Sequence, residues 1–146
     1  MHIFAIVALI ILSAGCTAAG PNASTDSLVL QTGGAAFEAQ FETQLSADGM
    51  LRVRRYGPPH VTPRKVEKLL PAARAAALFS LAARATDFSA GCGKVADGTN
   101  AAMTVNYAGN KHTFSCTGAS HWPTGKNTTT FLSTLNNDLP HDLQVH

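Results

Sequence analysis

The chain is short of charge. Only 14% of its 146 residues are Asp, Glu, Lys or Arg, and the formal net charge is +2. No stripe of Lys and Arg interleaved with aromatics runs through it. That argues against a nucleic-acid binder, whose phosphate contacts need such a stripe. Aromatics are also few, at 7%, with Trp122 the single tryptophan. Leu, Val, Phe and Met are still spread along the sequence, unlike in a disordered chain. No CxxC, HxH, HExxH or Gly-x-Ser-x-Gly pattern occurs. The dithiols, metal-ligand pairs and nucleophile elbow built on those spacings are therefore not expected. Asp87, Asp97 and Asp138 stand apart in sequence, so no carboxylate pair for acid–base work is read from them. No cofactor is expected, and no catalytic set is assigned.

Long apolar runs are missing too, apart from one. Ile3 to Leu12 is uninterrupted, and Ser13-Ala14-Gly15 follow it. The run is shorter than the roughly 20 residues a membrane span needs. It has the length of a signal-peptide apolar region, and the small residues after it suit a peptidase. Leu12-Ser13-Ala14-Gly15-Cys16 resembles a lipobox, the signal read by the bacterial lipoprotein pathway. Ser13 stands where that family usually has a large apolar residue, and His2 stands in for the usual Lys or Arg before the run. The resemblance implies that residues 1–15 are removed and that Cys16 takes a diacylglyceryl group on sulfur. It also implies an acyl chain such as palmitate on the new amino group. Two or three chains give stable membrane residence where one does not. Thr17 rather than Asp follows Cys16, which in enterobacteria-like sorting points to the outer membrane, facing the periplasm. Residues 16–27 are then the lipidated cysteine and a flexible tether, being small and polar. Residues 28–146 are read as one domain.

Within that domain, Ser27–Gln31 has the pattern of a short strand closed by Gly33-Gly34. From Phe37 to Leu45 apolar and polar residues alternate with period two, the signature of a half-buried strand. Met50–Tyr56 returns after a turn. A three-residue loop, 47–49, with Gly49 in the left-handed conformation, sets Leu45 against Leu51, Thr43 against Val53, Gln44 against Arg52 and Glu42 against Arg54. Glu42 and Arg54 then form an exposed pair. Thr62 and Pro63 suit a helix start. Val66, Leu69, Leu70, Ala73, Ala77 and Leu81 make a stripe at helical spacing, with a kink or a break expected at Pro71. Met103–Tyr107 and His112–Cys116 form a second hairpin. A Gly109-Asn110 turn pairs Tyr107 with His112, Val105 with Phe114 and Met103 with Cys116. A last helix is expected from about Thr128 to Asn137, capped by Asn127, with Phe131, Leu132 and Leu135 inward.

The expected fold is therefore α+β: one antiparallel sheet of two hairpins plus the N-terminal strand, with two helical segments on one face. Gly33-Gly34 after a short strand, a helix ending in Ala77-Leu78-Phe79-Ser80-Leu81, and the strand pair around Met103–Cys116 resemble the emfourin-like domains. One group of these small bacterial proteins inhibits thermolysin-type metalloproteases. The resemblance implies the same layered fold and an inhibitor-like role, and no inhibitory residue is carried over.

Once Cys16 is lipidated, Cys92 and Cys116 remain as an even pair in an oxidising compartment, so a disulfide is expected. The rival reading keeps Cys116 as a free thiol and joins it to His112 and His121 as a zinc-dependent or thiol site. Otherwise His112 is a sheet histidine packed on Tyr107, and His121 is a surface loop residue. Ser120-His121-Trp122-Pro123 is the one polar-aromatic loop cluster, which makes His121 and Trp122 candidate partner-binding residues. The plainer role for Trp122 is to cover the edge of the core. The sequence thus favours an envelope lipoprotein with a non-catalytic, protein-binding domain. Two alternatives are the small enzyme just described and a structural envelope protein without a specific ligand.

Overall fold

The computed structural model describes residues 25–34 and 38–145. Their order is β1 (Ser27–Gly33), β2 (Gln40–Ser46), β3 (Met50–Tyr56), β4 (Arg64–Leu69), α1 (Ala72–Ala83), β5 (Thr99–Tyr107), β6 (Asn110–Ala119) and α2 (Lys126–Asn136), then a short 3-10 turn, His141–Leu143. The strands form one sheet in the order β4-β3-β2-β1-β5-β6. Every neighbouring pair is antiparallel. The fold is α+β, as the alternation implied. β1 lies between the two hairpins and joins them into one sheet.

Side-chain parity decides which face is covered. Leu28, Leu30, Leu45, Leu51, Val53, Met103 and Val105 are buried on one side. Against them sit Ala75, Leu78, Phe79 and Ala82 of α1, and Phe131, Leu132 and Leu135 of α2 packs on the same core. The residues between them, such as Gln31, Gln44, Arg52, Ala102 and Thr113, are exposed. One face of the sheet is therefore the core, and no element among the described residues packs over the other.

The first hairpin has the register that its parity demands: Leu45 opposite Leu51, Thr43 opposite Val53, Gln44 opposite Arg52 and Glu42 opposite Arg54. Gly49 holds φ +86, and a Cβ there would lie 2.7 Å from the Leu70 carbonyl oxygen. The Gly49 carbonyl in turn accepts from the Leu70 N–H at 2.9 Å.

Residues 64–69 correct the sequence reading: they are a strand, not the start of a helix. The helical stripe spanned Pro71, and the residue before a proline is pushed out of the helical region. Leu70 is accordingly tied to Gly49, and Pro71 is the N-cap of α1. Arg52 of β3 binds Glu67 across the pair at 3.2 Å, which favours pairing of β4 with β3, and Lys65 of β4 itself binds Glu67 at 2.9 Å. Because the stripe took its phase from strand residues, its Ala73 and Ala77 are exposed and Leu81 only half-buried. Leu69, assigned inward, is 65% exposed.

The second hairpin differs in register. Its turn is Ala108-Gly109, both at positive φ (50° and 78°), and Tyr107 pairs with Asn110, Val105 with His112 and Met103 with Phe114. A slip of two residues leaves every side chain on its face, so hydrophobic parity does not distinguish the two registers. Two positive φ values give the primed turn whose twist fits a hairpin. Asp26 steadies it by accepting from the Ala108 N–H at 3.1 Å.

Candidate functional site

The bare face divides into two halves. Over β2, β3 and β4 it is a lattice of charges. Glu42 is 8% exposed and accepts from Gln31 Nε2 at 3.1 Å, Gln44 Nε2 at 2.9 Å and Arg54 Nη2 at 3.0 Å. The Arg54 hydrogen bond above all, with help from the two amides, holds its carboxyl below the usual glutamate range, against the opposing effect of burial. The expected Glu42–Arg54 pair thus forms, but its acid is buried rather than exposed, because amides from two strands close over it. The Arg54 guanidinium lies 5.1 Å from the centre of the Tyr56 ring. Over β1, β5 and β6 the face carries Ala102, Thr104, Asn106, Thr113, Ser115 and Thr117, with Lys111 at its margin.

The outer edge of β6 is partly covered by the segment after α1. Ser89 Oγ donates to the Ser115 carbonyl at 2.6 Å. The Gly93 N–H donates to Thr117 O at 2.6 Å, and Lys94 and Val95 donate to Gly118 O at 2.9 and 3.0 Å. Gly118 holds φ +65, and a Cβ there would collide with the Val95 carbonyl. Cys92 and Cys116 are joined as a disulfide with Cα atoms 5.3 Å apart, which pins this segment to the strand.

Other acids serve the scaffold. Asp87 caps α2 from a distant loop: Oδ2 accepts from the Asn127 N–H at 2.8 Å, and Oδ1 from the Thr128 N–H and hydroxyl at 2.9 and 2.7 Å. The N-cap residue itself is Gly125, without a side-chain cap, so the expected Asn127 cap is replaced by Asp87. Asp138 binds Lys68 at 3.1 Å and Arg74 at 2.7 Å, tying β4 and α1 to the end of α2. Asp142 binds Arg64 and, at 3.9 Å, Arg55. The roles of these three acids have no local signal in the sequence, because their partners lie 40 to 87 residues away in the chain.

The residues singled out from sequence separate. Trp122 takes the plainer of the two roles the sequence offers it: it is 7% exposed, its indole N–H donates to Phe88 O at 3.1 Å, and its ring meets Phe88 edge-on at 5.2 Å. It closes the core and offers no projecting anchor, whereas His121 beside it is exposed. His112 stacks parallel to Phe114 at 6.3 Å, rather than packing on Tyr107. His112 lies near the turn of β6 and His121 beyond its opposite end, a strand length of roughly 20 Å away. The Cys116 sulfur is bonded to Cys92, so the three atoms of the zinc or thiol reading do not meet. Among the described residues no group of three His, Cys, Asp or Glu could hold a metal ion. Cys16, the signal segment and most of the tether lie outside the described residues. No described helix is long and apolar enough to cross a membrane.

The sequence matches no protein-family model and no curated protein.

Proposed function

We propose that the chain is an envelope lipoprotein, anchored through Cys16, whose domain binds another protein without catalysing a reaction. The observation that carries this reading is the distribution of reactive side chains. Glu42, Asp87, Asp138 and Asp142 are each held by donors of the scaffold, and both described cysteines are spent in a disulfide. What the domain offers to solvent is instead an extended surface, the bare sheet face and its margins. The Cys92–Cys116 bond supports an exported protein, since structural disulfides persist in oxidising compartments. The lipobox-like residues supply the anchor, and the emfourin-like layout suggests an inhibitor-like mode, in which a rigid surface occupies its target.

Two measurements test this. Mass spectrometry of the mature protein is expected to find lipid on Cys16, and Cys16→Ser should move the protein from the membrane to the soluble fraction. Crosslinking in intact cells should then capture one specific protein. A soluble wild type with unmodified Cys16 would refute the anchor, and the lack of any specific partner would favour a structural envelope role.

A further inference from the structure

The two outer strands of the sheet are protected differently. β4 is exposed except at Val66 and carries Arg64, Lys65, Glu67 and Lys68, the charges that discourage pairing at a free edge. β6 carries no acid and is protected by covering chain, but only over part of its length.

Parity defines the uncovered part. The hairpin closes on a two-residue turn, so Tyr107 and Asn110 form the hydrogen-bonded pair beside it, and such pairs alternate along the ladder. The backbone N–H and C=O groups of Lys111, Thr113 and Ser115 therefore point away from β5. The hydrogen bonds of the cover agree with this, since Ser89 reaches the Ser115 carbonyl from outside. Among the described residues the cover stops there. Both groups of Lys111, both of Thr113 and the Ser115 N–H have no partner among the described residues.

The side chains beside this edge differ on its two sides. On the helix side His112 and Phe114, stacked and half-buried, make an apolar shelf. On the bare side Lys111 and Thr113 are exposed. Lys94 adds a second positive charge from the cover, and residues 89–95 contain no acid. We propose that β6 between Lys111 and Ser115 accepts an extended segment of a partner protein as a seventh strand. Its alternate residues are apolar against His112 and Phe114, and polar or acidic beside Lys111 and Thr113. Main-chain bonds supply affinity in this mode, and the alternating side chains supply specificity. The inference rests on the protein-binding reading and names its surface. A second copy of this chain fits less well. Antiparallel self-pairing about Thr113 would need the Ser115 carbonyl that Ser89 already holds, and it would run into the disulfide-pinned cover.

The test uses the intact, disulfide-bonded chain with two capped heptapeptides of identical composition. In one, Val and Glu alternate; in the other they are segregated into two blocks. Backbone amide NMR should show shifts and slowed exchange at Lys111 and Thr113 with the alternating peptide, and at least tenfold weaker binding of the block peptide. Thr113→Pro removes an outward donor and spares the pairing with β5, a position where a strand tolerates proline. It should abolish binding, whereas Thr113→Ala should keep it and Lys111→Glu should weaken it at least fivefold. Equal binding by the Pro variant, unaffected Lys111 and Thr113 amides, or protection explained by a dimer without peptide would each overturn the proposal. A cellular partner retained equally by wild type and Thr113→Pro would overturn the edge and leave the protein-binding reading standing.

Discussion

Thr43 lies on the core side of β2, opposite Val53 and 1% exposed, and its hydroxyl is the buried side-chain polar atom without a partner among the described residues. Threonine keeps the period-two pattern because it is β-branched, but it carries a polar atom into an apolar layer. A buried unmade hydrogen bond costs about 1–3 kcal/mol. Thr43→Val keeps the shape and removes that atom, so it is expected to raise stability by about 1 kcal/mol. Urea unfolding of the two proteins checks this, and a lower midpoint for the variant would mean that the hydroxyl has a partner after all. Glu42 shows the opposite arrangement on the other face of the same strand. It is buried too, but three donors meet its carboxylate.

At the scale of elements, α2 illustrates how far a cap can come from. Its first residues, Lys126-Asn127-Thr128-Thr129, suggested a local cap, yet the carboxylate that meets its free N–H groups belongs to Asp87, 41 residues away from Thr128. An acid there also complements the positive end of the helix. Asp87→Ala should therefore destabilise by about 1 kcal/mol, the usual cost of losing a cap. The expected signature is local: amide exchange should speed up at Asn127 and Thr128 more than at Met103 in the core sheet. Uniform acceleration would place the role of Asp87 elsewhere. β4 carries the parallel lesson for strands. Its sequence RKVEKL is poor in apolar residues, and it is a strand because β3 offers an edge on which Arg52 meets Glu67.

For the whole molecule, two linkages follow. Burial pushes the Asp87 and Asp138 carboxyls up. For Asp87 the Thr128 hydroxyl and nearby amides outweigh that, and for Asp138 Arg74 and Lys68 do, so both end below the ordinary aspartate value, as Glu42 does for glutamate. A carboxylate whose folded pKa is depressed adds stability above its unfolded pKa and loses it as pH falls through the folded one. Those unfolded values are 3.8 for Asp and 4.5 for Glu. Stability should therefore change little from pH 7 to about 5 and fall steadily below about 4, as denaturant midpoints across that range would record. A flat profile into strong acid would contradict the assigned partners. The second linkage is redox. Cys92 and Cys116 are 24 residues apart, and closing such a loop contributes about 3 kcal/mol in the chain-entropy model. Reduction should lower the melting temperature, and thiol labelling of unfolded, unreduced protein should find neither cysteine free.

The sequence by itself determined the fold class, the first hairpin's register, the face that the strands of both hairpins bury and the pairing of Cys92 with Cys116. The first three follow from period-two parity and one glycine turn, and the pairing was expected once Cys16 is set aside as the proposed lipid site. Tertiary structure decided the rest. Only the presence of β3 made 64–69 a strand. Two registers of β5 and β6 bury the same side chains, and the one formed turns at Ala108-Gly109 with Asp26 on the Ala108 N–H; packing, likewise, settles Trp122 against Phe88 rather than outward. The contrast between a charged edge at β4 and a half-covered edge at β6 has no local signal. It depends on which strands end up outermost, and long-range pairing alone settles that.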